Sequence, residues 1–166
     1  MRRGLAALPE ERELAPEYEL RVATSADAAA LADLLSKAFD EPWDERRVEQ
    51  VLLNHPGVPE TYVIEHGGTL VATASYQVMP EEFPGLGWVH YVGADSTHRG
   101  RSLGYLVVLA VLRRCADEEM TGAMLTTDDP RLPAIQTYLK LGFEPDMWHP
   151  SHPERWAGVF AQLNPS

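Results

Sequence analysis

The sequence predicts an α+β fold, a central mixed, mostly antiparallel sheet with helices on both faces. Three observations carry this. Strand-like segments at 61–65 and 69–78 flank Gly67-Gly68, a pair that tolerates the positive φ of a tight hairpin. Segment 102–116 has apolar residues at helical spacing and lies between strand-like segments 88–94 and 122–127. Such a crossover joins parallel neighbours. The chain has 166 residues, 45% of them apolar, which suits one domain with one core and rules out a disordered chain.

The elements follow in order. Residues 1–16 are rich in Glu, Pro and Ala without periodicity and read as a tail; 17–166 reads as one domain. Tyr18 to Ala23 is a first strand, with Leu20 and Val22 on one face. Thr24-Ser25-Ala26-Asp27 offers N-cap oxygens to a helix carrying Leu31, Leu34, Leu35, Ala38 and Phe39. Pro42 breaks it, and Asp44 caps a second helix with Val48, Val51 and Leu52 as its stripe. The hairpin follows, then a loop with Glu81 and Glu82, then the strand Trp88–Ala94. Alternation along that strand puts Trp88, His90 and Val92 on one face. Leu103, Leu106, Val107, Ala110 and Val111 line the central helix. A strand at 122–127 and a helix at 132–141, ended by Gly142, come next. Phe143 begins a late strand, and Trp156–Leu163 reads as the last one.

Charge narrows the function. With 14 basic against 25 acidic residues the net charge is −11, so neither extended nucleic acid nor an anionic membrane is an expected partner. Only Lys37 and Lys140 are lysines, so the placement of the arginines matters. The lone Cys115 excludes an intramolecular disulfide framework and a multi-cysteine zinc site. His149 and His152 flank Pro150-Ser151 with no third ligand evident, so no metal is expected. No apolar run reaches membrane-spanning length. The first residues lack a signal-peptide core, which makes a cytoplasmic location the expectation.

The segment Asp95-Ser96-Thr97-His98-Arg99-Gly100-Arg101-Ser102-Leu103-Gly104 joins a strand to a helix start. Small residues let the backbone approach a ligand, and a helix N-terminus offers free N–H groups to an anion such as pyrophosphate. Arg99 and Arg101 add charge. A plain loop with solvated arginines is the competing reading. There is no Gly-Lys-Ser/Thr and no early G-x-G-x-x-G, so nucleotide-triphosphate and dinucleotide loops are not supported.

Arg99-Gly100-Arg101-Ser102-Leu103-Gly104 resembles the Gln/Arg-x-x-Gly/Ala-x-Gly/Ala pyrophosphate loop of the GNAT superfamily of acetyl-CoA-dependent N-acetyltransferases, with Ser102 at the middle small position. A second segment is similar to that family's Asn-x-x-Ala-x-x-x-Tyr-x-x-x-Gly-Phe, matching at Ala134, Tyr138, Gly142 and Phe143, with Arg131 in place of Asn. The resemblance spans about residues 17–163.

It implies acetyl-CoA as co-substrate, an amine acceptor and direct transfer in a ternary complex. It also implies that the backbone of Val92, Gly93 and Ala94 meets the pantetheine arm. The loop Arg99, Gly100, Arg101, Ser102, Leu103 and Gly104 would hold the pyrophosphate, with Arg131 and Ala134 nearby. Tyr138 takes the place of the general acid. Some members carry a glutamate base on the strand; Trp88 stands there, and His90 matches a histidine of the arylalkylamine enzymes. An imidazole is a suitable base, and a histidine satisfied within the sheet is the alternative. Glu41 and Trp43, in the loop after the first helix, are acceptor-side candidates with Trp88. The expected function is transfer of acetyl to a primary amine, with a small molecule as acceptor and a homodimer possible. A peptide or protein acceptor and a non-catalytic acyl-CoA-binding module are the alternatives.

Overall fold

The computed structural model describes residues 1–163; the last three positions of the expected domain, 164–166, lie outside the described residues. Six strands form one sheet: β1 (Arg2–Gly4), β2 (Tyr18–Val22), β3 (Glu60–His66), β4 (Thr69–Val78), β5 (Leu86–Ala94) and β6 (Gly122–Met124). Their order is β1-β6-β5-β4-β3-β2. Only β5 and β6 run parallel, joined by the crossover through α3 (Leu103–Asp117). The other neighbours are antiparallel.

One face of the sheet carries α1 (Ala28–Phe39) and α2 (Glu45–Val48), the latter continued by a π-helical turn, Glu49–Leu53. Leu31, Leu35, Trp43, Val48 and Leu52 pack there against Val63 and Leu70. The capping oxygens expected before α1 are in use. Asp27 accepts from the Thr24 backbone at 2.7 Å and takes both arms of Arg21 at 2.8 and 2.9 Å. Gly67 and Gly68 have φ of 55° and 81°, the two positive angles a tight β3–β4 turn needs. The opposite face carries α3, ten of whose residues are buried, so it is enclosed nearly all round. Helices α4 (Leu132–Lys140) and α5 (His152–Leu163) complete the described residues.

Three expectations are corrected. Segment 1–16 is more than a tail: Arg2–Gly4 forms β1 between β6 and Glu144. The rest of the segment lies over α3, with Glu11 paired to Arg113 at 2.7 Å and the Tyr105 hydroxyl donating to the Glu10 carbonyl. The strand expected from Phe143 is reduced to a single bridge, Glu144 to Arg2. Residues 156–163 form helix α5, not a strand. Trp156, Val159, Phe160 and Leu163 recur at i, i+3, i+4 and i+7, a helical period rather than a strand's period of two.

Candidate active site

The site begins with a fault in the sheet. Thr73 pairs with Gly93 and Ser75 with His90, so Tyr91 and Val92 together oppose Ala74. This is a β-bulge, and its extra residue has no ladder partner. Tyr91 sits at φ 45°, a left-handed conformation that is rare and strained for a bulky residue. The bulge ends the alternation expected along β5. Trp88 and His90 share one face, Tyr91 joins them, and Val92 turns to the α3 side. Tyr91 is held edge-on by Phe39 and Trp43, with ring centroids 5.9 and 4.9 Å away.

A second feature opens the sheet. β5 and β6 pair only from Leu86–Gly122 to Trp88–Met124, while β5 runs on to Ala94. A cleft of about 720 Å³ opens beside the free end of β5, lined by Val92–Asp95, the loop Arg99–Gly104 and one side of α4. It brings together nearly every residue the sequence assigned to a cofactor: Val92, Gly93, Ala94, Arg99, Gly100, Ser102, Leu103, Gly104, Arg131 and Ala134, with Tyr138 among them. Arg101 is the exception. Its guanidinium pairs with Glu17 at 3.4 Å and lies over the Tyr18 ring.

The loop is built for close approach. Gly100 has φ 82° and Ser102 φ 58°. The first bond of α3 runs from Leu106 N–H to the Ser102 carbonyl, so the preceding N–H groups of the helix have no intrahelical partner and point their positive end at the cleft. Among the described lining residues, Arg12, Arg99, Arg131 and Lys140 stand against a single carboxylate, Asp95. That carboxylate already accepts from the Thr97 amide and hydroxyl at 2.8 and 2.7 Å. In a chain of net charge −11, this cleft is locally basic. Its donors fit a pyrophosphate, and the exposed end of β5 fits an extended amide-bearing arm.

Arg12 was not foreseen. It donates to Ser102 Oγ at 2.9 Å and lies 4.1 Å from the Tyr105 ring centre. The serine at the small position of the loop is thus turned toward an arginine from the N-terminal segment.

Tyr138 is buried, 5% exposed. Burial pushes its phenol up to about 12, with Arg131 acting in the other direction. It therefore keeps its proton at neutral pH. His90 is not among the residues that line this cleft. Burial, and then the nearby His55, lower its pKa. Cys115 is buried in α3 and its thiol is raised to about 12 by burial, an inert thiol.

The acceptor-side candidates separate. Glu41 accepts from the Trp43 indole N–H at 3.0 Å and pairs with Arg47 at 2.9 Å, while Arg47 lies over the Trp43 ring. Trp43 in turn packs edge-on against Tyr91 of the bulge. Trp88 lines a second cavity, separate from this cleft.

Comparison with known proteins fits this geometry. The acetyltransferase (GNAT) family model matches residues 28–143. Mycothiol acetyltransferase of Nocardia farcinica (strain IFM 10152) is 39% identical over 69 residues, 42% of this chain and 23% of that protein. The mycothiol acetyltransferase of Mycobacteroides abscessus is 37% identical over 60 residues, 36% of this chain and 20% of that protein. The chain thus spans less than a quarter of the length of either relative. Among solved structures, the ribosomal-protein-S18-alanine N-acetyltransferase from Escherichia coli superposes with a TM-score of 0.66 at 17% identity, covering 78% of this chain and 79% of that one. The aminoglycoside acetyltransferase meta-AAC0020 from an uncultured soil metagenomic sample gives 0.68 at 15% identity, covering 82% and 96%. These two share the fold. With a family model matched across most of its length, the bulged β5 and the basic loop before α3, the chain belongs to the GNAT family of acetyltransferases.

Proposed function

We propose that the protein is an acetyl-CoA-dependent N-acetyltransferase that acetylates a primary amine of a small molecule by direct transfer in a ternary complex. One observation carries the reading: a basic cleft, in an acidic protein, runs from the N-terminus of α3 to a break in β5 and ends at a buried tyrosine. Relatives named mycothiol acetyltransferase support a small acceptor.

Bound acetyl-CoA supplies a thioester carbonyl, and transfer forms a C–N bond as the C–S bond breaks. The chain's own groups manage charge and protons. Free N–H groups at the start of α3, with Arg12, Arg99 and Arg131, hold the phosphates. The bulge at Tyr91–Val92 leaves backbone groups without ladder partners to polarise the carbonyl, a donor role typically worth about 3 kcal/mol. His90 takes a proton from the amine, directly or through water. Tyr138 gives a proton to the leaving sulfur, so the amine's lost proton and the thiol's gained one balance.

Thermal unfolding with acetyl-CoA, then release of free CoA against an amine panel, tests the reading. Acetyl-CoA at a hundred times its Kd stabilises by about 2.7 kcal/mol and raises Tm. No shift with acetyl-CoA, or no amine-dependent release, contradicts it.

A further inference from the structure

Three rings from three elements meet beside the basic loop, and the chemistry above uses none of them. Tyr18 opens β2, His66 closes β3 and His98 immediately precedes Arg99. Ring centres are 4.6 Å apart for Tyr18 and His66, 5.7 Å for Tyr18 and His98, and 5.1 Å for the two histidines. Tyr18 is buried and both imidazoles are half-buried. Of the three, His98 also lines the cofactor cleft. Its Nδ1 lies 2.8 Å from the Tyr18 hydroxyl. A hydroxyl donates to a bare ring nitrogen and accepts from a protonated one, so this bond survives either charge state. The backbone is fixed as well: the Asp95 N–H donates to the Val71 carbonyl at 2.8 Å, and the His98 N–H to the Asp95 carbonyl at 3.1 Å. An imidazole changes charge near neutrality, and this one can do so without leaving its seat.

The charges around His98 oppose a proton there until an anion arrives. The positive end of α3 and the adjacent Arg99 line the same cleft. His66 is in ring contact, and two neighbouring imidazolium ions repel. Ahead of β2, Glu17 is already paired with Arg101, whose guanidinium lies 5.5 Å from the Tyr18 ring centre. In the loop, the Asp95 carboxylate is held low chiefly by hydrogen bonds from Thr97, with Lys37 of α1 and His98 adding to the effect. On the far side of the loop Arg12 donates to Ser102. One engaged carboxylate thus faces several positive groups. A diphosphate seated on the loop adds two negative charges and reverses that balance.

We propose that His98 is a proton-linked residue of the cofactor site: it takes up a proton as the diphosphate of acetyl-CoA settles on the loop, and His66 competes for that proton. The chain therefore holds acetyl-CoA more tightly as pH falls through the histidine range. The inference rests on the acetyl-transfer reading and adds a regulation of its cofactor site. The sign follows from linkage. A group that gains a proton on binding makes binding stronger where protons are plentiful, and the bound anion in turn makes the proton harder to remove. Tyr18 keeps the ring oriented throughout, so the change is one of charge and not of loop position.

Calorimetry of the full chain with acetyl-CoA, in paired buffers of different ionisation enthalpy, reads affinity and proton uptake together. The parent takes up more protons than His98→Gln, and the difference between them cancels the ligand's own 3′-phosphate. From about pH 8 to about pH 6 the parent gains affinity relative to that variant by roughly threefold or more. His66→Gln keeps the uptake and moves the gain to higher pH, because the competing charge is gone. In the parent alone, the labelled His98 imidazole followed by NMR titrates at higher pH with acetyl-CoA than without it. Equal uptake in parent and His98→Gln, or a His98 titration that acetyl-CoA leaves in place, overturns the proposal. So does uptake that disappears in His66→Gln and persists in His98→Gln. Acetyl-CoA that binds at no pH overturns it together with the transferase reading, whereas binding without linked protons overturns it alone.

Discussion

Tyr91 shows how one residue sets the chemistry of its neighbours. Its positive φ shifts the register of β5, so His90 and Tyr91 crowd one face, their ring centres 4.0 Å apart, and Val92 turns to the other. The same half-buried position disfavours the imidazolium of His90. Its pKa lies below the ordinary 6.5 because burial, and then His55, oppose the imidazolium. A base that must be unprotonated loses activity as pH falls through its pKa. The acid limb of kcat/KM is therefore expected below pH 6.5 and should vanish in His90→Gln. A limb at or above the ordinary histidine value, or one that survives the substitution, removes His90 from the proposed mechanism. Some of this was legible in the sequence. His90 and Tyr138 stand out there through the resemblance to the acetyltransferase motifs. The positive φ of Tyr91 does not, because a bulge depends on register with β4 and leaves no mark in composition.

Among the elements, β5, α3 and α5 repay attention. Gly87 lets β5 lie against α3: a Cβ there would overlap Cys115 Sγ and crowd Tyr76. Gly87→Ala should cost about 1–3 kcal/mol by overpacking, and Cys115→Ala in the same chain should recover most of it. Urea unfolding measures both, and an unaffected single variant contradicts the packing. The hairpin, α1, α3 and α4 were readable because their periods and caps are local. α5 was misread because its apolar residues also suit a short buried segment, and only the full i, i+3, i+4, i+7 set separates helix from strand. β1 is three residues long and exists by virtue of β6 and Glu144, a pairing no local pattern announces. Arg12 was missed with it. Removing its contact with the loop, Arg12→Ala, should weaken acetyl-CoA by about fivefold, near 1 kcal/mol, with kcat unchanged. Unaltered affinity would separate Arg12 from the proposed phosphate site.

At the scale of the molecule, acidity and anion binding are reconciled by segregation. The net charge of −11 coexists with a cleft lined by four basic side chains and one occupied carboxylate. Among the described residues no helix is long and apolar enough to cross a membrane. One internal node ties the sheet to α1. Arg21 on β2 joins Asp27 ahead of α1 and Glu65 on β3. Hydrogen bonds from Arg21 hold Asp27 down to about 2 from 3.8, so its stabilisation is full above the unfolded value and is lost as pH falls through the folded one. Asp27→Asn should cost roughly 2 kcal/mol at neutral pH, a difference that shrinks toward pH 2 in chemical denaturation. A pH-independent loss contradicts that account. The central claim is amine-dependent acyl transfer in the cleft that ends at Tyr138, and the initial rate of CoA release from saturating acetyl-CoA against amine concentration tests it most directly. The expected result is a saturable, amine-dependent rate that falls by roughly 10²-fold in Tyr138→Phe with acetyl-CoA affinity unchanged. Release that ignores the amine, or that is the same in Tyr138→Phe, would contradict it.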